Sequence, residues 1–349
     1  MRRAPNPALQ PTCTPSAYIP STRCARLGAA ELDRSAAKST STNGQPSRYR
    51  EPRLVERLET FRSDMCGGWA TKPQKTSYET QEDFRMSKAL RVLITGAARG
   101  IGMATAQVLA NRGHSVVATD ISALSGLEGI QAHVLDVTSD DSVARCLEEV
   151  GPLDAIVNNA GIFGQGPVES YPLDRIRQMF ETNTLGALRI IQAVLPGWRQ
   201  RGSGVIVNVS SVGGRVSAPL EAAYNASKFA LEAFTESLHV EVRHFGIRCV
   251  IIEPGNTASG IKAVERHAGP ADYAGLWEQG AGAHNKMTGP FGPQGPEVVA
   301  LAIASAIEDP ATPLRVPVGQ DAEMILGLRR SLDDQAFEEA MRKAIGFTW

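Results

Sequence analysis

The sequence lacks what a metal centre, a disulfide scaffold or a membrane span would need. Its five cysteines, Cys13, Cys24, Cys66, Cys146 and Cys249, are an odd number without repeated spacing. That pattern excludes a disulfide framework and any CxxC metal site. The six histidines show no metal-ligand spacing either, so no bound metal is expected. No apolar run approaches the roughly 18 residues of a membrane span. Lys plus Arg number 36 against 37 Asp plus Glu, a net charge of −1, so there is no basic excess to recruit a nucleic acid. No internal repeat is present. What remains is 42% hydrophobic, enough for a sizeable core, and 349 residues allow one large domain or two small ones. A soluble, cytoplasmic protein is the expectation.

These averages conceal a split near Met86. Residues 1–85 carry 14 basic and 9 acidic side chains, whereas residues 86–349 carry 22 and 28. The leader is rich in Pro, Ser, Thr and Arg, and only Leu54 to Phe61 could form a helical turn or two. Such a segment buries too little apolar surface to offset its ordering entropy and is expected to be disordered. Its Arg and Ser content fits a transit peptide, but Glu31, Asp33, Glu51, Glu56 and Glu59 break the acid-poor pattern, and no apolar h-region marks a secretory signal. An over-long gene model is the other reading, because Met86-Ser87-Lys88 leads directly into the first strand.

From residue 86 onward, strands and helices alternate. Arg91 to Thr95, Ser115 to Thr119, His133 to Leu135, Ala155 to Val157, Val205 to Val209, Ile247 to Ile252 and Leu314 to Val318 read as seven strands. Helical patterns separate them, notably Ile101 to Asn111, Leu173 to Arg201 and Glu221 to Phe245. Continuous apolar runs such as Val205-Ile206-Val207 fit strands buried on both faces. The expected fold is a doubly wound α/β domain of the Rossmann type, a seven-stranded parallel sheet with helices on both faces.

The first strand runs into Thr95-Gly96-Ala97-Ala98-Arg99-Gly100-Ile101-Gly102. Glycines at such a turn let backbone N–H groups approach a pyrophosphate at a helix N-terminus. Asp120, at the end of the second strand, lies 24 residues past Gly96, where a carboxylate can bind both ribose hydroxyls of NAD and would repel a 2′-phosphate. Arg99 acts the other way, since its guanidinium could pair with that phosphate. NAD is favoured over NADP.

Chemistry is suggested further along. Tyr224 and Lys228 are four apart and share a helix face. Ser211, thirteen residues upstream of Tyr224, falls just past the fifth strand, and Asn158-Asn159-Ala160-Gly161 follows the fourth. Both lie where carboxyl ends of parallel strands form a ligand crevice. Asn183 lies inside a helical pattern, an unfavourable place for an amide without a specific partner.

In these residues the chain from Met86 to Trp349 resembles the short-chain dehydrogenase/reductase family, in its compact single-domain branch. The matching elements, in order, are the TGxxxGIG turn at Thr95, Asp136 after the third strand, NNAG at Asn158, Ser211, YxxxK at Tyr224 and Pro254-Gly255 after the sixth strand. The TGxxxGxG spacing separates it from the extended branch, whose pattern is TGxxGxxG. The resemblance implies an NAD(P)-dependent oxidoreductase that interconverts an alcohol and a ketone. Gly96, Arg99, Gly100, Ile101, Gly102, Asp120, Asp136, Val137, Asn158, Ala160, Gly161, Pro254 and Gly255 would contact the cofactor, with Tyr224 and Lys228. Asn183, Ser211, Tyr224 and Lys228 would be the catalytic set. Tyr224 would move the hydroxyl proton, Ser211 would bind the substrate oxygen, and Asn183 would hold a water that relays protons through Lys228. A free phenol holds its proton to about pH 10, so acting near neutrality needs about 4 kcal/mol of help, expected from Lys228 and a cationic nicotinamide ring. The resemblance also implies a homodimer or homotetramer, with the Leu173 to Arg201 and Glu221 to Phe245 helices pairing subunits.

One departure occurs after Pro254-Gly255. The run Asn256-Thr257-Ala258-Ser259 puts Ser259 where the family commonly has a Thr for the nicotinamide carboxamide, and Thr257 where an apolar residue is common; either hydroxyl could serve. Residues 256–294 are Gly- and Pro-rich and are expected to close over substrate as a lid, with Tyr273, Leu276, Trp277, Met287 and Phe291 giving an apolar inner face. His267 and His284 read as solvated. The short Ile121 to Ala132 connection leaves little room for a helix, as in members acting on hydroxysteroids and retinoids, and a hydrophobic small-molecule substrate is expected. Two other readings are an idle dinucleotide-binding regulator and a scaffold acting through its leader. Deletion of residues 1–85 is expected to leave turnover intact in a dehydrogenase assay, and a loss of activity would favour the scaffold.

Overall fold

The structure, a computed structural model, describes residues 89–264, 266–287 and 292–349, with backbone alone for 281–287. The leader, its helical turn at 54–61, Cys13, Cys24, Cys66, Phe291 and the side chains of His284 and Met287 lie outside the described residues.

The chain alternates as expected. In order come β1 (Arg91–Thr95), α1 (Gly100–Asn111), β2 (Ser115–Asp120), β3 (Gln131–Val134), α2 (Asp140–Val150), β4 (Ala155–Asn158) and the short β5 (Ile162–Phe163). Next are α3 (Leu173–Phe180), a π-helical stretch at Glu181–Leu185, α4 (Gly186–Arg201), β6 (Gly204–Val209), α5 (Ala222–Val242) and β7 (Ile247–Pro254). After β8 (Lys262–Ala263) come α6 (Ala274–Met287), α7 (Pro296–Glu308), β9 (Arg315–Val318), α8 (Gln320–Ser331) and α9 (Asp334–Ile345). Seven strands form one parallel sheet in the order β3-β2-β1-β4-β6-β7-β9, and β5 pairs separately with β8. This is a Rossmann-like doubly wound fold.

The apolar strands divide their residues between two cores because successive side chains point to opposite faces. Val92 and Ile94 of β1 pack with Leu109 of α1 and Ile303 of α7 on one side. Leu93, between them, joins Ile190, Ile191 and Trp198 of α4 on the other. Trp198 donates its indole N–H to the Leu153 carbonyl (2.8 Å), so its burial leaves no polar atom unpaired.

Three local outcomes bear on function. The expected Leu173 to Arg201 helix is interrupted by the π-helical stretch, an extra residue per turn that re-aims the side chains it carries. The β2–β3 connection carries no helix, as its length implied. The expected lid at 256–294 is not a plain loop, since it contains β8 and the fourteen-residue α6. Among the described residues, no helix is long and apolar enough to cross a membrane, and no cluster of His, Cys, Asp or Glu could hold a metal ion.

Ile303 is fully buried between α1, α7 and the sheet. Replacing Ile303 by Ala should cost about 3 kcal/mol, read as a lowered urea midpoint with an unchanged slope.

Candidate functional site

The sheet order creates the site. From β1 the chain moves outward to β2 and β3, then returns to place β4 on the other side of β1 and continues through β6, β7 and β9. At this switch point the connections leave in opposite directions, and a crevice opens beyond the carboxyl ends of the strands. A cleft of about 1600 Å³ lies there, with Gly96, Asp120, Gly161, Ser211, Tyr224 and Gly255 among its lining residues.

The glycine turn after β1 is held by close backbone packing. Gly96 has φ +69°, a conformation that costs a side chain little only when that side chain is absent. A Cβ on Gly102 would collide with the Gly96 carbonyl, so this glycine brings α1 against the turn and does not itself line the cleft. Gly100 likewise does not line it, because the Ser259 carbonyl occupies the space above its Cα. Asn159 secures the turn by donating from its carboxamide to the carbonyls of Thr95 and Gly96, both at 3.0 Å. In return the Thr95 hydroxyl accepts the N–H groups of Asn159 (3.1 Å) and Ala160 (3.0 Å).

Asp120 stands at the end of β2 with its carboxylate accepting from the Ala98 N–H (3.1 Å) and the Ser122 N–H (2.9 Å). Arg99 lies nearby, but its side chain runs past Gly260. Asp136 turns its carboxylate into its own loop, where it accepts from the Thr138 N–H and hydroxyl. Asp136, Val137, Ile101, Ala160 and Pro254 all line the cleft.

The helix bearing Tyr224 and Lys228 faces the Ser211 turn. Ser211 caps a single turn at Val212–Gly214, its hydroxyl accepting from the Gly213 N–H (3.0 Å), and it lies near enough to the Tyr224 phenol to lower its proton affinity. Phe163 meets the Tyr224 ring edge-on, with centroids 5.0 Å apart. Lys228 is buried, donates to the Val209 carbonyl (2.9 Å) and holds its ammonium 5.9 Å from the Tyr224 ring centroid. Enclosure of its hydroxyl pushes Tyr224 up to about 12, against the nearby Ser211 hydroxyl and with help from the Glu221 charge. Burial lowers Lys228 to about 8, opposed by Glu232. For both groups desolvation is the largest cause of the shift, and it disfavours the charged form of each.

Two expected side chains do not reach the cleft. Asn158 is buried and donates to the Asn208 side chain (2.8 Å), because it still belongs to β4 and points into the sheet layer. Its neighbour Asn159, absent from the expected set, does the work at the turn. Asn183 is also buried, and its carboxamide is committed to Ile162 (accepting its N–H at 2.8 Å, donating to its carbonyl at 3.0 Å) and to the Ser227 hydroxyl (2.9 Å). The π-helical stretch is what turns Asn183 toward β5. Gly161 lies beside it, with a Cβ position 3.4 Å from Asn183 Oδ1 and 3.8 Å from Lys228 Nζ. Of the two hydroxyls after Gly255, Thr257 donates to the Gly255 carbonyl (3.1 Å) and accepts from Gln294 (3.1 Å), while Ser259 accepts from the Ile261 N–H (3.3 Å). Both residues line the cleft.

The outer wall also differs from expectation. Trp277 lines the cleft, but Leu276 is buried away from it and Tyr273 stacks on Trp349. The apolar wall comes instead from Phe337, Met341 and Ile345 of α9 and from Phe347. Asp321 was likewise missed; it accepts the Asn256 N–H (2.6 Å) and leaves no room for a Cβ on Gly255. An amphipathic pattern over residues 334–345 was the available signal for α9, whereas nothing in the sequence ties Asp321 to Gly255.

Comparison with known proteins agrees with this architecture. A model of the short chain dehydrogenase family matches residues 90–269. The 3-ketodihydrosphingosine reductase of Bacteroides thetaiotaomicron is 30% identical over 269 residues, 72% of this chain and 96% of that protein. Human retinol dehydrogenase 8 is 41% identical over 179 residues, 47% of this chain and 58% of that protein. A crystal structure of a short-chain dehydrogenase from Streptomyces avermitilis superposes with a TM-score of 0.63 at 32% identity, covering 75% of this chain and all of the other. A Burkholderia cenocepacia short-chain dehydrogenase in complex with NADP has a TM-score of 0.60 at 24% identity, covering 72% of this chain and 97% of the other, a likeness of fold. The chain belongs to the short-chain dehydrogenase/reductase family and is an oxidoreductase of that family.

Because Asn159 bonds two partly buried carbonyls at the strand end, Asn159→Ala should lower stability by about 2 kcal/mol in chemical denaturation.

Proposed function

We propose that this oxidoreductase interconverts a hydrophobic secondary alcohol and its ketone, with Tyr224 as general acid and base. The carrying observation is the convergence of Ser211, Tyr224 and Lys228 on the cleft, with Ser211 close enough to lower the phenol's proton affinity. The residues fit a nicotinamide dinucleotide. Gly96 offers an open backbone at the start of the turn, α1 begins directly beyond it, and Asp120 projects at the far edge. Ile101, Asp136, Val137, Ala160, Gly161 and Pro254 would flank the dinucleotide along the cleft, with Thr257 or Ser259 toward its nicotinamide end. Asp120 favours NAD over NADP, since a carboxylate held by two backbone N–H groups would repel a 2′-phosphate. When bound, the nicotinamide accepts or supplies the hydride.

The chain's own residues handle the proton and the oxygen. In oxidation the Tyr224 oxygen takes the hydroxyl proton; in reduction it returns one to the carbonyl oxygen. The Ser211 hydroxyl donates to the substrate oxygen as charge develops there. The buried Lys228 ammonium favours the phenolate once a proton has to leave Tyr224. Asn183 acts by fixing β5 against α5, which keeps Phe163 on the Tyr224 ring. The α9 wall supports an apolar substrate of steroid or retinoid type, as do the names of two relatives, which refer to retinol and 3-ketodihydrosphingosine. Exposed Phe229, Phe234 and Val240 on α5 are consistent with subunit pairing through that helix.

Tyr224→Phe should bind NAD as the wild type does while losing at least about a thousandfold in kcat, and equal turnover would reject the mechanism. Burial holds the Tyr224 phenol protonated, so oxidation, which needs it deprotonated, should accelerate with rising pH, while ketone reduction, which needs it protonated, should stay flat until the phenol begins to titrate. Paired initial-rate profiles with NAD and NADP against steroid, retinoid and small polar alcohols would measure both, and activity confined to sugars would sink the substrate assignment.

A further inference from the structure

Behind the Ser211 turn lie two carboxylates that the mechanism does not use. Glu232 of α5 and Glu253 of β7 are 3% and 2% exposed, and neither lines the cleft. One side chain serves both. Arg315 of β9 places Nε 3.0 Å from Glu232 and 3.7 Å from Glu253, while its Nη2 donates to the more exposed Glu236 (2.8 Å).

The cluster touches both walls of the site. Glu232 Oε1 and the Ser210 hydroxyl are buried without a close hydrogen bond and face the same small space over Gly214, near enough that the hydroxyl holds the carboxyl's proton affinity down. A Cβ on Gly214 would strike that hydroxyl and come within 3.1 Å of Glu232 Oε1. Ser210 and Gly214 bracket Ser211, and the Ser210 N–H is anchored to the Ile252 carbonyl (2.8 Å), next to Glu253. On its other side Glu253 leads directly into Pro254-Gly255.

Two buried carboxylates cannot both be compensated by one guanidinium that a third already shares. Burial and then the neighbouring Glu232 charge raise Glu253 to about 7, although Arg215, Arg315 and Arg330 oppose this. Burial raises Glu232 as well, against Ser210, Arg315 and Arg215. Those are the charged groups that face Glu253 from α5, the Ser211 turn, β9 and α8.

We propose that Glu253 is a positioning residue: protonated, it leaves Arg315 to Glu232, which then backs the turn that carries Ser211. Ionised, it competes for the guanidinium, and Glu232 is freed to push against Ser210 and Gly214. The inference rests on Ser211 being the partner of the substrate oxygen.

The full-length protein and Glu253→Gln test it in two ways. A carboxyl raised from 4.5 to about 7 on folding stabilises below its unfolded value, and that contribution is lost as pH rises through 7. The wild-type Tm should therefore decline from about pH 5 to about pH 8.5 more than that of Glu253→Gln. The variant's Tm should exceed the wild type's by at least about 3 °C at the upper pH, relative to the difference at the lower. For alcohol oxidation, the ratio of kcat at high to low pH should be at least about threefold larger in the variant, with the KM for NAD within about twofold. A Tm difference that does not vary with pH, or kcat profiles that superimpose, would overturn the proposal. If Glu253→Gln does not fold, Glu232→Gln asks the same question, because removing the neighbouring charge should move the wild-type decline to lower pH; an unmoved decline overturns the proposal. Should the wild type oxidise no alcohol with either dinucleotide, the redox reading falls, and the Tm comparison, which needs no substrate, still decides the titration of Glu253.

Discussion

Everything at the site depends on how tightly the ends of β1 and β4 are tied together. The chain diverges there, and a sheet that simply ended would leave two loose loops. Instead the Thr95 hydroxyl accepts two N–H groups from the β4 exit, and the Asn159 carboxamide bonds two carbonyls of the β1 exit. These bonds are internal, so they cost no exposure of polar backbone to an apolar core. They also fix the distance between the glycine turn and the loop that holds Ala160 and Gly161. With that distance set, Gly102 can bring α1 against Gly96.

The second constraint is electrostatic. Tyr224 and Lys228 sit where water is scarce, and for each of them desolvation outweighs the charges nearby. The protein by itself therefore holds the phenol protonated and makes the ammonium easier to discharge. In the proposed reaction, further positive charge in the cleft would then be needed near neutrality, which would couple phenol acidity to cofactor binding. The same scarcity of water explains the Glu232–Arg315–Glu253 cluster, where buried carboxylates outnumber the cations able to compensate them. At these buried groups desolvation is the first cause and partners come second.

Much of this was legible beforehand. The seven strands, the missing helix between β2 and β3, and the order of the glycine turn, Ser211 and Tyr224 follow from apolar periodicity and local turn residues, both properties of near neighbours in sequence. Asn158 and Asn159 show where such reading ends. Adjacent residues at a strand terminus point to opposite faces, and a one-residue difference in where β4 stops decides which amide meets the turn. Asn183 was recognised as out of place in a helix, but its partner Ile162 and the π-helical stretch that turns it there are products of packing. Two of the lid side chains depart for a similar reason: Tyr273 and Leu276 belong to an expected loop that folds partly as helix, and so face elsewhere.

The sequence by itself determined the family, the alternation that builds a parallel sheet, and the candidate side chains for proton transfer and dinucleotide binding. Tertiary structure decided which of them share a space. It brought α9 to the cleft as its apolar wall, placed Asp321 under Gly255, and set Arg315 between carboxylates from α5 and β7. The last two of these join residues more than sixty positions apart. Local propensity carries no information at that separation, because the pairing depends on the twist and order of the whole sheet.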